Sequence, residues 1–464
     1  MTGKRASWSG QLAFVLAAAA SAIGLGNLWR FPYLAAKYGG GVFIAVYLAL
    51  SLTLGFVLLV TEISLGRFSR QSQLTAFGAL GHRKWNFLGV LATVVPLVIL
   101  PYYNVIGGWV VKYFCAYVEV VAGAGAIAQP QAYFDSFIAS DTAPFAFMAV
   151  FTALVSAILA MGVKNGIEKS NMVMMPMLFA MAVGIAVYVA TLPGASEGIR
   201  FYLVPDFSNC DNLGKVVLSA MGQMFYSLSL AMGIMITYGS YMRKNDSIGA
   251  SSVRIVAADT FVAVLSGFMI IPVVVMFAAK TGAGRPAIDA GPGLMFVTLP
   301  RVFESLGTAG HWIGLVFFVL VLFAALTSSI SMTEACVAAV CDLFRIGRSL
   351  STALVAFWAV AAGSVSAFGY GRWKGFQPFG MPALEFFDFT MNSVLMPVVA
   401  ALTCVFVGWI FTPKRIVEEC LGSGRERLVR PFYVAMVKYF APVLVLAILV
   451  SEICRFFGVG GWNI

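Results

Sequence analysis

Charge is scarce in this chain: Asp, Glu, Lys and Arg make up 11% of its 464 residues, against about 25% in an ordinary soluble protein. So little charge cannot clothe a soluble surface, and the 60% of hydrophobic residues exceeds what one soluble core can bury. Histidine is scarcer still. His82 and His311 are its two examples, both at predicted loop or span ends, and without a catalytic cluster around them an intramembrane enzyme is not expected. The seven cysteines, Cys115, Cys210, Cys336, Cys341, Cys404, Cys420 and Cys454, lie mostly within or beside apolar runs. They form no CxxC pair that would suggest a metal, and a disulfide framework is not expected. Repeated polar pore helices, which a channel would need, are missing too.

Long apolar runs are what the sequence has instead. They cover Gln11 to Ala36, Val42 to Leu65, Trp85 to Val120 and Phe145 to Gly162, with more to the last at Phe432 to Phe456. Each is near or above the roughly 20 residues that cross a bilayer as a helix, and about eleven such spans are expected. The first run continues into a Gly-rich, Arg-containing stretch, so it reads as a retained helix and not a signal peptide. With the N-terminus in the cytoplasm, the inner loops collect Lys4, Arg5, Arg67, Arg70, Arg83, Lys84, Lys164, Lys169, Arg243, Lys244, Arg345, Arg348, Lys414, Arg415, Arg425 and Arg427. That asymmetry is the positive-inside pattern and places the C-terminus outside. The net charge of +10 is therefore topological; spread over many short loops, it makes no nucleic-acid face.

Polar interruptions mark the functional spans. In the first, Ala20 to Pro32 carries Gly24, Gly26, Asn27 and Arg30, which are costly in lipid and must face a cavity. A helix broken here frees carbonyls for a cation and amides for a carboxylate. The sixth span is interrupted from Gln223 to Gly233. Paired breaks in corresponding positions of two five-helix halves are the mark of an inverted-repeat transporter. The eighth span carries Thr327, Ser328 and Ser329; hydroxyls in a helix often only bond back to the preceding turn, but beside a broken neighbour they complete a set of hard oxygens suited to sodium.

Together with the loop Tyr238 to Lys244, these motifs resemble the neurotransmitter:sodium symporter family in its bacterial amino-acid branch. The resemblance spans nearly the whole chain and implies an all-α polytopic fold of the leucine-transporter type, with two inverted five-helix repeats and broken helices 1 and 6. Residues 1–9 would form a cytoplasmic N-terminal latch, 10–192 the first repeat, 193–212 an extracellular loop, 213–412 the second repeat, and 413–464 a cytoplasmic loop and the eleventh helix. The implied activity is sodium-coupled symport of neutral, hydrophobic L-amino acids into the cell by alternating access. A proton-coupled amino-acid carrier, acting through Asp259 or Glu62, and a sodium-coupled carrier of another small zwitterion are the alternatives. The oligomeric state is left open.

The resemblance also assigns residues. One sodium site would use Ala22, Asn27, Ser227 and Asp259, the last standing where the family commonly has Asn; the other would use Ala20, Ile23, Ala324, Thr327 and Ser328. The substrate would meet Ala22, Gly24, Leu25, Gly26, Ile99, Tyr103, Tyr226, Ser227, Ser229, Ala231, Met232, Ser328 and Met332. Monoamine carriers place an acid where this chain has Gly24, so the resemblance favours amino acids. Tyr47, Gln223 and Ser227 match chloride ligands, Ala263 replaces the remaining hydroxyl, and the Asp259 carboxylate would substitute for the anion, so no chloride requirement is expected. Arg30 and Asp388 match an outer gate; Arg5, Trp8, Ser240, Tyr241 and Asp342 match an inner one.

Overall fold

The computed structural model describes residues 6–125, 127–205, 207, 212–281, 291–421 and 426–458. Among these the chain is helical, with no strand and a single isolated bridge between Gly40 and Pro205. The reason lies in the solvent. In hydrocarbon every backbone N–H and C=O must be satisfied within its own segment, which a helix does.

Nine described helices are long and apolar enough to cross a membrane. We label the elements that matter below in chain order: α1 (Gln11–Ala22), α2 (Gly26–Lys37), α3 (Gly41–Ser69), α4 (Arg83–Val121), α5 (Ala143–Ala160), α6 (Val163–Ala190), α7 (Leu213–Ser227), α8 (Ile234–Ser240), α9 (Ile248–Thr281), α10 (Thr308–Phe344), α11 (Arg348–Ala367), α12 (Ala383–Phe411) and α13 (Val429–Phe456). The pair α1 and α2 is bent by 52° at its break and together makes a tenth crossing. An eleventh, as expected, follows only if α7 and α8 are counted together as another interrupted span. The chain is an all-α polytopic membrane protein.

The two breaks start from local sequence and are held by packing. Ile23 leaves the helical region (φ −79°, ψ 95°) ahead of Gly24. Between α7 and α8, Ser229, Ala231 and Gly233 all have positive φ (52°, 61° and 68°), a conformation that only glycine adopts without penalty. Tertiary contacts must hold the other two there. Around the breaks, α10 packs extensively on α4, and α8 on α3. Small residues permit the second contact: a Cβ on Gly66 would fall on the Ile236 carbonyl, and one on Gly239 on the Ile63 carbonyl, the close approach favoured between membrane helices. The stretch 193–212 is not simply a loop, for it contains a helix, Ala195–Leu203, lying against α9.

Candidate functional site

A narrow buried pocket lies where the two breaks face each other. Ser21, Ala22, Gly24, Leu25, Gly26 and Asn27 line it from the first break, Ile99 and Tyr103 from α4, Tyr226, Ser227, Ser229 and Met232 from the second break, and Ser328 and Met332 from α10. Of the expected substrate contacts, Ala231 is the exception. It is not among the lining residues, and in its left-handed turn its amide donates to Glu62 Oε1 of α3 at 2.7 Å. Ser21, which sequence reasoning passed over although it sits inside the first motif, takes part: its carbonyl accepts from Ser229 Oγ at 2.9 Å and Ser328 Oγ at 3.3 Å.

One end of the pocket is apolar, with Ile99, Met232 and Met332. The other end carries groups suited to a carboxylate. The amides of Leu25 and Gly26 stand at the start of α2, where the first N–H groups of a helix lack intrahelical acceptors and carry positive partial charge. The Tyr103 hydroxyl, beside Ser328 and the Leu25 amide, is buried with no hydrogen bond formed among the described residues, an arrangement that costs free energy unless a ligand satisfies it.

Beside this end lies a dense polar cluster. Asp259, fully buried on α9, accepts at Oδ1 from Asn27 Nδ2 (2.8 Å) and Ser227 Oγ (2.7 Å) and at Oδ2 from the Tyr47 hydroxyl (3.0 Å). Asn27 Oδ1 in turn accepts from Ser227 Oγ at 3.2 Å and from the Gly24 amide at 3.3 Å. Arg254, the other partner considered for Asp259, is exposed, and no described Lys, Arg or His forms an ion pair with this carboxylate. A buried charge with no counter-ion is strongly unfavourable, and the surrounding neutral oxygens are the hard donors a sodium ion takes. Gln223, from the chloride-like set, donates to the Gly26 carbonyl at 3.1 Å, while its Oε1 stays buried and unbonded. It braces the break from behind, and Ser266, unforeseen in the sequence, does the same by donating to the Asn27 carbonyl.

The second expected ion set is more diffuse. Ala20, Ile23 and Ala324 are buried where α1 meets α10, and Ser328 reaches across to the Ser21 carbonyl. Thr327 Oγ1 bonds back to the carbonyls of Phe323 (2.9 Å) and Ala324 (3.1 Å), the ordinary behaviour of a helical threonine.

The model of the sodium:neurotransmitter symporter family matches residues 5–121 and 139–460. The chain belongs to that family. It is 32% identical to a sodium-dependent transporter of Haemophilus influenzae over 97% of this chain and 98% of that one. It is 34% identical to the sodium-dependent transporter YhdH of Bacillus subtilis, with the same coverage. The crystal structure of MhsT in complex with L-phenylalanine superposes with a TM-score of 0.85 at 32% identity, covering 97% of this chain and 100% of that one. The family consists of sodium-dependent transporters, not enzymes.

The symporter's two expected gates are built differently from each other. Arg30 and Asp388 form no ion pair. The Arg30 guanidinium lies 5.9 Å from the centroid of Tyr226, while Asp388 accepts from Tyr102 (3.1 Å) and Asn392 (2.6 Å). On the opposite side Trp8 is buried, donating from Nε1 to the Tyr238 carbonyl (3.1 Å) and from its amide to the Tyr241 carbonyl (3.2 Å). Arg5 lies outside the described residues. Asp342 accepts the Ser72 amide at 2.7 Å, Ser240 bonds to the Thr237 carbonyl, and Tyr241 donates to Glu334 at 2.8 Å. Glu334 is fully buried and bidentately held by Arg348 at 2.5 and 2.9 Å. The sequence did offer a signal for this pair: an acid seven residues beyond Thr327, on the same face of a spanning helix, is a functional candidate by default.

Proposed function

We propose that this symporter carries neutral, hydrophobic L-amino acids into the cell by alternating access, driven by two sodium ions. The observation that carries the reading is the continuity of the pocket: an apolar end, a carboxylate-binding end at the α2 N-terminus, and an uncompensated carboxylate with neutral oxygens beside it. A substrate carboxylate entering there would complete the ion's shell. Each ligand then raises the other's affinity by the same factor, as linkage requires. The MhsT complex with L-phenylalanine supports the substrate class, and the methionines Met232 and Met332 can repack around different side chains. Ions at Ala22, Asn27, Ser227 and Asp259 and at Ala20, Ile23, Ala324, Thr327 and Ser328 account for the pair, the second binding once Thr327 turns from its own helix. Asp259 supplies the fixed negative charge, so chloride is not required. An N-terminus in the cytoplasm and a C-terminus outside are supported by the cation distribution of the loops.

Proton coupling is the second reading, favoured by Glu62, whose Oε2 is buried without a partner. Counterflow of radiolabelled amino acids in proteoliposomes distinguishes the two. A sodium gradient should drive uptake that gluconate in place of chloride leaves unchanged, and Asn27→Ala should abolish the sodium stimulation. Uptake driven by a pH gradient without sodium overturns the proposal, as does competition led by lysine or glutamate.

A further inference from the structure

Above the substrate pocket, on the side assigned as external, lies a larger cavity of about 220 Å³. Three elements wall it: α2 with Arg30, Tyr33, Lys37 and Tyr38, α7 with Ser219 and Gly222, and α13 with Ser451, Glu452 and Arg455. A smaller lobe sharing Arg30, Gly222 and Glu452 continues to Tyr226, which also lines the substrate pocket.

The charges in this cavity do not balance. Three cations face one carboxylate, and Arg455 pairs with Glu452 at 3.3 Å. Neither Arg30 nor Lys37 forms an ion pair among the described residues. Both lie over aromatic rings, Arg30 at 5.9 Å from the Tyr226 centroid and Lys37 at 5.8 and 5.5 Å from those of Tyr33 and Tyr38, contacts that orient a cation without neutralising it. Lys37 and Arg455 are exposed while Arg30 and Glu452 are half-buried, so positive potential continues from the rim inward. A cleft lined by charge of one sign and walled by apolar helices concentrates the opposite ion.

We propose that this cavity is an oxyanion-binding site, holding a phosphate group between Arg30, Lys37 and Arg455. Guanidinium groups match phosphate oxygens bidentately, and the lysine adds a point charge. The phosphate comes either from the external medium or from the headgroup of an anionic phospholipid, since the outer face of α13 is apolar and exposed at Val443, Leu446 and Val450. The site is distinct from the substrate pocket, from which Tyr226 divides it. Because α2 and α7 both border a break whereas α13 is continuous, an anion held among the three favours the arrangement in which they are drawn together. A ligand shifts an equilibrium by its differential affinity for the two states.

Thermal unfolding of the protein in nanodiscs, followed by tryptophan fluorescence without any transport step, tests this independently of the substrate assignment. In neutral-lipid nanodiscs inorganic phosphate at constant ionic strength should raise the transition temperature saturably. Lys37→Gln and Arg455→Gln should each weaken the apparent affinity roughly fivefold, about 1 kcal/mol. If the headgroup is the natural source, phosphatidylglycerol in the disc should raise the transition in the wild type, suppress the response to free phosphate, and do neither in the variants. If free phosphate is the source, the response should persist with phosphatidylglycerol present. No saturable shift from either source, or equal shifts in wild type and both variants, overturns the proposal.

Discussion

At the level of single residues, the pocket depends on what Gly24 lacks. A Cβ there would come within 2.7 Å of Ser328 Oγ and 3.5 Å of the Tyr103 hydroxyl, the two hydroxyls beside the expected substrate carboxylate. Gly24→Asp therefore adds both a steric and an electrostatic obstacle, since like charges in a desolvated site repel strongly. Amino-acid binding should fall below detection in scintillation-proximity titrations while the variant still folds and inserts. Leucine or tryptophan binding within tenfold of wild type, roughly 1.4 kcal/mol, would mean that the carboxylate lies elsewhere. Ile99, Met232 and Met332 followed only from the family resemblance, while Asn27, Ser227 and Ser328 were legible in the sequence itself because polar atoms in an apolar span have to face something. Ala231 was not, because whether a residue at a break faces inward depends on its φ, and a positive φ at alanine leaves no trace in composition.

At the scale of elements, the breaks in α1–α2 and α7–α8 were legible from glycine and polar residues at corresponding positions of the two halves. The wide helical turns at Ser51–Gly55, Val163–Glu168 and Phe389–Leu395 were not: Gly55, Gly166 and Pro397 lie in or beside them, but the same residue types occur in uninterrupted helices too, and tertiary packing decides where a helix loosens. What holds the second break is equally a matter of packing. Glu62 of α3 accepts the Ala231 amide, and Gln73 accepts from Thr237 while donating to the Ala335 carbonyl at 3.2 Å. The first of these takes the place of a helical acceptor that the break removes, and the other two tie α8 through Gln73 to α10. Glu62→Ala should leave the Ala231 amide buried and unbonded, costing about 1–3 kcal/mol, whereas Glu62→Gln keeps an acceptor. Thermal unfolding should thus show a lower transition for the alanine variant and largely retain it for glutamine. Equal losses in both would assign the carboxylate's charge, not its hydrogen bond, as the stabilising feature.

For the whole molecule, coupling requires that pocket and cytoplasm never connect while the outer side is open. Under the proposed stoichiometry, two sodium ions accompanying a zwitterion through a potential would gain about 2.3 kcal/mol per charge per 100 mV, which at about 1.4 kcal/mol per decade would support roughly a thousandfold gradient. A leak between the two faces would dissipate it. The inner seal gathers segments distant in sequence: Trp8 lies against Tyr238 and Tyr241 of the α8 region, with ring centroids 5.2 and 6.0 Å away, and Tyr241 reaches Glu334 and, through it, Arg348 at the start of α11. Ser9 extends the seal by bonding to Glu168, and Arg243 donates to the Ser9 carbonyl at 2.8 Å. Removing a fully buried tryptophan typically costs about 3–5 kcal/mol. If about 3 kcal/mol of that separates the sealed from the unsealed state, Trp8→Ala moves their ratio by more than a hundredfold, since each factor of ten is about 1.4 kcal/mol. Hydrogen exchange across residues 234–242 should therefore accelerate in the variant, and equilibrium exchange of substrate should continue while sodium-driven accumulation declines. Unchanged protection of that segment, or undiminished accumulation, would place the seal on the Glu334–Arg348 pair and leave Trp8 a packing role alone.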